Sequence, residues 1–154
     1  VVHMTSYAPL LAKERHTQWN PDLIYFNNRE VKPTTGYYVQ KLYGQNAGNE
    51  YLPSKIVLDN KDDKVRKRFA SSIVRDSVSG DVIVKLVNLL PVEVNTNVDL
   101  SGIGAVQPSA KRTVLTGKPT DTPLPVEDRI QIAEKFDCNL PAYSFTVIRI
   151  QKAN

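Results

Sequence analysis

The sequence predicts a mainly β protein: an antiparallel β-sandwich, jelly-roll-like, preceded by a short strand, a long loop and one helix. Three observations carry this expectation. From Glu50 onward, short apolar runs alternate with turn residues at the spacing of sandwich strands. Val92, Val94, Thr96 and Val98 alternate with Glu93, Asn95 and Asn97, the period of a strand with one buried face. Many of the 10 prolines sit beside the apolar runs, which favours strands and turns over long helices.

Taken in order, residues 1–12 read as a strand ending at Ala8-Pro9, the opening Val1-Val2-His3 being strand-like already. Residues 13–35 contain Asn20-Pro21 and Lys32-Pro33-Thr34-Thr35 and read as an irregular loop, of a length that is unusual unless functional. Thr34 or Thr35 is a candidate cap for a helix over 36–43. In that helix Tyr38 and Leu42 share one face and Val39 and Tyr43 the next, with Gly44 or Gly48 as the stop. Candidate strands follow at 50–59, 69–77, 81–90, 92–99, 111–116, 129–136 and 143–151. The run Val82-Ile83-Val84-Lys85-Leu86-Val87-Asn88 is apolar on both sides, which predicts a central strand with both faces covered. Val84, Leu86 and Ile148 are expected in the core. Residues 117–128, with Gly117, Pro119, Pro123 and Pro125, read as a stiff surface loop. The boundary between appendage and sandwich is expected at 44–50, giving segments 1–48 and 49–154.

The chain has 154 residues, enough for one domain with an appendage, and a formal net charge of +4. Much of that charge lies in Lys61-Asp62-Asp63-Lys64-Val65-Arg66-Lys67-Arg68. Two aspartates break the run and no aromatic interleaves before Phe69. A solvated hairpin turn with a charged edge fits better than a nucleic-acid patch, which needs a cationic face and stacking aromatics. No run of about 18 apolar residues exists, so no membrane helix is expected. No basic segment followed by an apolar one opens the chain, so no signal peptide is read, and the compartment stays open. Cys138 is the only cysteine, which excludes an intrachain disulfide and a cysteine-based zinc site. His3 and His16 lack ligand-like spacing. No phosphate loop and no Ser-His-Asp arrangement stands out, and Glu127-Asp128 reads as a solvated turn. No metal or cofactor is expected.

Five segments resemble the C-terminal region of family-51 α-L-arabinofuranosidases. Met4-Thr5-Ser6-Tyr7-Ala8-Pro9-Leu10 is similar to the family's last barrel strand, followed by Gln18-Trp19-Asn20-Pro21-Asp22-Leu23-Ile24-Tyr25-Phe26 and Tyr37-Tyr38-Val39-Gln40-Lys41-Leu42-Tyr43. Ser79-Gly80-Asp81 with the strand to Asn88, and Leu140-Pro141-Ala142-Tyr143-Ser144-Phe145-Thr146-Val147-Ile148-Arg149-Ile150, resemble strands of its sandwich. The resemblance implies that residues 1–48 are a remnant strand and helix from the end of a (β/α)8 barrel, and 49–154 the C-terminal sandwich. It implies a retaining glycosidase whose two catalytic glutamates lie on earlier barrel strands, outside this chain. Gly48-Asn49-Glu50 spells the family's acid/base motif at the linker, where no buried strand precedes it, and reads as a turn.

In the family, loops at the C-terminal ends of barrel strands build the pocket. By that resemblance Tyr7, Trp19 and Asp22 stand at its rim. Two readings stay open: Trp19 stacks on a sugar and Asp22 binds a hydroxyl, or Trp19 packs under its loop and Asp22 caps the turn at Pro21. The implied partners are the catalytic barrel of the parent chain and, through it, an arabinose-containing polysaccharide of hemicellulose or pectin. The parent would be periplasmic or secreted if a signal peptide lies upstream. Residues 1–43, freed from a barrel, are expected to fray or self-associate. The rival class is a stand-alone carbohydrate-binding sandwich. It needs a surface row of aromatics, whereas Tyr51, Phe69, Phe136, Tyr143 and Phe145 are few and mostly at inward positions. A nucleic-acid module ranks last.

Overall fold

The computed structural model describes residues 4, 6–117, 121 and 123–153. In chain order the elements are β1 (Leu11–Lys13), β2 (Ile24–Phe26), β3 (Val31–Pro33), α1 (Thr35–Gln45), β4 (Glu50–Leu52), α2 (Asp63–Arg66), β5 (Phe69–Arg75), β6 (Val82–Asn88), β7 (Val94–Asp99), β8 (Val106–Thr116), β9 (Val126–Gln131), β10 (Lys135–Leu140) and β11 (Ser144–Lys152). Val1-Val2-His3, and with them the His3 reading, lie outside the described residues, as does Pro119.

The opening segment differs from expectation. Among the described residues strand geometry begins at Leu11, after Pro9, whose nitrogen has no hydrogen to give a ladder. The supposed loop over 13–35 contains β2 and β3. β2 pairs parallel with β1 and antiparallel with β3. Each is three residues long, too short to show a two-residue period in sequence.

Thr34 precedes α1, but its hydroxyl donates to the Leu23 carbonyl at 2.7 Å and does not cap the helix. That bond ties the helix start to β2. The helix also runs past Gly44. It stops at Asn46, whose side-chain amide donates back to the Leu42 carbonyl at 2.9 Å. A polar side chain therefore ends the helix where a glycine was expected.

The sandwich comprises a six-stranded antiparallel sheet in the order β4-β5-β6-β11-β8-β9 and a two-stranded ribbon, β10-β7. Four strand boundaries depart from the sequence reading. The strand expected over 50–59 ends at Leu52, because Pro53 follows. The strand expected from 111 starts at Val106. The run 129–136 is two strands: β9 closes the large sheet, and β10 leaves it to pair with β7. Residues 126–128, placed in a surface loop, open β9, so Glu127 and Asp128 are not in a turn. They pair across the strands with Lys111 at 2.8 Å and with the Arg112 guanidinium. The charged run 61–68 is not a hairpin turn either. It holds α2, capped by the Asp62 carboxylate, which accepts from the Lys64 N–H at 2.8 Å.

The large sheet is covered on both faces. On one, the ribbon closes a core of Val82, Val84, Val98, Leu100, Ala110, Phe136, Cys138, Leu140, Ile148 and Ile150, with Leu86 partly buried against it. On the other, Leu42 of α1 packs with Ile83, Leu115, Phe145 and Val147, while Tyr38, Val39 and Val87 lean on the cluster. This explains the two-sided run at 82–88: alternate side chains of β6 serve the two cores. Each fully buried aliphatic side chain contributes about 1.5–3 kcal/mol. Asn88, at the end of β6, is fully buried. Its amide donates to the carbonyls of Val92, Leu140 and Pro141, and its oxygen accepts from the Leu90 N–H at 2.9 Å. It thus ties the β6–β7 turn to the β10–β11 turn.

Candidate substrate-rim site

Tyr7, Trp19 and Asp22 converge on the loop between β1 and β2. The Tyr7 hydroxyl donates to the Pro21 carbonyl at 3.4 Å. The Thr17 hydroxyl lies 3.0 Å from Asp22 Oδ2, and the Trp19 N–H donates to Thr17 Oγ1 at 3.1 Å. The Asp22 N–H donates to the Tyr25 hydroxyl at 2.9 Å, and that hydroxyl donates to Asn20 Oδ1 at 3.1 Å. Exposure divides the three residues. Trp19 is 66% exposed, Asp22 is 0% exposed, and Tyr7 is half-buried. Sequence reasoning missed Thr17, a residue with no motif value that is the centre of the loop's hydrogen bonds.

The far side of the loop is held by charge. Lys32 on β3 lies 2.8 Å from Glu14 and 3.0 Å from Glu30, and the Asn27 amide donates to Glu14 at 2.8 Å. Hydrogen bonds from Lys32 first, then Asn27, hold the Glu14 and Glu30 carboxyls below their usual range. Lys32 is correspondingly raised by Glu14 and then Glu30.

A groove of about 910 Å³ opens beside this loop. Tyr7 and Pro21 bound it on one side, Val39 and Tyr43 of α1 on another, and Leu115 and Phe145 of the sheet form its floor. The Tyr43 ring stacks on Phe145 with centroids 4.7 Å apart. Lys85, buried on the same face of β6, sends its ammonium to the Asn46 carbonyl at 2.5 Å and lies 5.7 Å from the Tyr43 ring centroid. Burial pushes the Lys85 pKa down.

Gly48 and Asn49 form the turn between α1 and β4, but Glu50, read as part of that turn, is the first residue of β4 and pairs with Arg75. Gly48 has φ +63, and a Cβ there would lie 2.6 Å from Val74 Cγ2 and 2.9 Å from the Arg75 carbonyl, so only glycine fits. The Asn49 side chain accepts from the Ser77 N–H at 2.8 Å and donates to its hydroxyl at 2.6 Å. Glu50 is exposed and faces Arg75 at 3.4 Å. Cys138 is buried, and burial raises its pKa, the opposite of what a nucleophilic thiolate needs. Of the sandwich aromatics, Phe136 and Phe145 are buried while Tyr51 and Tyr143 are exposed, so the inward expectation fails for those two tyrosines. Among the described residues no helix is long and apolar enough to cross a membrane.

A six-stranded sheet with a two-stranded ribbon on one face and a helix on the other defines a β-sandwich domain with a helical appendage. The family model of the alpha-L-arabinofuranosidase C-terminal domain matches residues 1–146, and the chain belongs to that family. It is 32% identical over 159 aligned residues to a probable alpha-L-arabinofuranosidase A of Aspergillus terreus, covering 96% of this chain and 23% of that protein. It is 27% identical over 171 to alpha-L-arabinofuranosidase 1 of Arabidopsis thaliana, covering 99% and 24%. The arabinose-bound MgGH51 a-L-arabinofuranosidase superposes with a TM-score of 0.83 at 29% identity, over 96% of this chain and 24% of that one. The chain therefore spans about a quarter of the length of these relatives, and its family is that of the C-terminal domain, not of the catalytic one.

Proposed function

We propose that this chain is the bracing sandwich of a retaining α-L-arabinofuranosidase that removes terminal arabinofuranosyl groups from hemicellulose or pectin side chains. Residues 1–48 supply the last strand, loop and helix of the catalytic barrel, and 49–154 the sandwich. One observation carries this best: the segment up to Gln45 is fastened to one sheet face through Leu42, Tyr43 and Lys85, yet leaves an apolar groove beside it. The rest of the barrel is the partner that fits such a face. In the isolated chain residues 1–43, where Leu10, Leu11 and Val31 are exposed, either fray or pair with a second copy away from the Trp19 loop. At the rim, Trp19 offers a stacking face and Tyr7 a hydroxyl, while Asp22 holds the loop that carries them.

The two glutamates of the retaining mechanism belong to the part of the barrel beyond this chain, so the chain alone is inactive. Pure protein incubated with an aryl α-L-arabinofuranoside is expected to give no turnover. Reproducible release of the phenol, abolished by Glu50→Gln, would overturn the assignment and return Glu50 to catalysis.

A further inference from the structure

We infer that Asp22 is a positioning residue that fixes Trp19 through Thr17 and does not itself meet the sugar. This rests on the rim reading above and deepens it. The Asp22 side chain is fully buried, so a ligand in solution does not reach it. It reaches the Thr17 hydroxyl instead, at 3.0 Å. That hydroxyl has one proton and two acceptors in range, Asp22 Oδ2 and the Trp19 carbonyl at 3.1 Å. Hydrogen bonds to a charged acceptor are about twice as strong as neutral ones, so the proton goes to the carboxylate. The hydroxyl oxygen is then free to accept from the Trp19 N–H at 3.1 Å. The result is a chain from Trp19 N–H to Thr17 O–H to the Asp22 carboxylate, in which each bond polarises the next.

Asp22 is a fixed anchor for that chain. Its N–H donates to the Tyr25 hydroxyl, which is itself held by Asn20, and the neighbouring Pro21 carbonyl accepts from Tyr7. Oδ1 is buried with no donor among the described residues, so Oδ2 alone carries the link. Trp19, 66% exposed, has little packing to hold its ring. The backbone beneath it is held instead, which orders the stacking surface before a sugar arrives and lowers the entropy cost of binding.

Trp19 is the only tryptophan, so fluorescence excited selectively in tryptophan, beyond the absorption of the 7 tyrosines, reports this loop. In the whole chain, Thr17→Val and Asp22→Ala are expected to lower Trp19 anisotropy and raise its quenching by acrylamide. The shift corresponds to about a fivefold change in the balance of held and free conformers, the size of one lost hydrogen bond. Asp22→Asn keeps an acceptor oxygen but not its charge, and its anisotropy is expected to fall between those of the native chain and Asp22→Ala. Circular dichroism verifies folding; should Asp22→Ala fail to fold, the exposed Thr17 variant decides alone. Native anisotropy and quenching in a folded Thr17→Val chain would overturn the proposal. Titration of the native chain with an arabinofuranosyl oligosaccharide tests the underlying reading separately. Unchanged emission there, with anisotropy still dependent on Thr17, would remove the sugar contact and leave the positioning role standing.

Discussion

The two faces of the six-stranded sheet are finished differently. The ribbon face is closed within the chain: β7 and β10 seat Val98, Phe136, Cys138 and Leu140 on Val84, Ile148 and Ile150, and Val84, Ile148 and Ile150 are wholly buried. The helix face buries the smaller apolar cluster of Leu42, Ile83, Leu115, Phe145 and Val147, includes a buried lysine, and keeps an open groove. Closed aliphatic packing gives stability. A face of aromatic rings, one ammonium and unfilled volume is what remains for an interaction with something else. The same strands supply both, since β6 and β11 alternate their side chains between the two.

The sharpest way to break this comparison is Ile148→Ala. It removes atoms from the closed core, where neighbours cannot collapse, and is expected to cost roughly 4 kcal/mol in urea melts. A loss under about 0.5 kcal/mol, the level of an ordinary surface change, would mean the ribbon face is not the stable one. Leu42→Ala on the helix face is expected to cost about 2 kcal/mol, the low end of such truncations, because the adjoining groove lets the surroundings relax. Equal losses for the two variants would erase the distinction. The smallest effect sharpens the ribbon side. Asp99 on β7 is held at about 2 by hydrogen bonds from Ser101 and from Lys135 of β10. Its folded pKa lies below its unfolded value, so its contribution is full above about pH 4 and fades as pH falls towards 2. The melting temperature of Asp99→Asn should trail the native chain at pH 6 and converge with it near pH 2. A gap that persists at pH 2 would show that Asp99 acts through packing.

What could be read beforehand follows from period and burial. β6 and β11 announced themselves because long apolar runs leave few other structures, and β7 because its alternation was unbroken. The strand expected from 111 starts past Pro108, whereas β8 begins at Val106. Pro108 sits where the β8–β11 register shifts between Ile150 and Lys152, so its missing N–H interrupts no regular ladder. The β9–β10 run read as one strand because Ile130, Ile132 and Phe136 continue the same apolar rhythm while the chain changes sheets. At the site, Tyr7 lies in one motif and Trp19 and Asp22 in another, and the family resemblance of the two implies their nearness. Their division of labour was not legible, because it depends on which side chain is buried and on Thr17, whose hydroxyl matters only through geometry.

The bond from Lys85 to the Asn46 carbonyl has a consequence for how the molecule comes apart. Peptide bonds through Ala47 and Gly48 are the covalent route from α1 to the sheet, and the lysine is a second route that bypasses them. A chain nicked once between Asn46 and Glu50 is therefore expected to keep its two pieces together, clasped by Lys85 and the Tyr43–Phe145 stack. A cut in the connection from α1 to β4 is expected to leave a two-fragment complex that migrates as one species in size-exclusion chromatography.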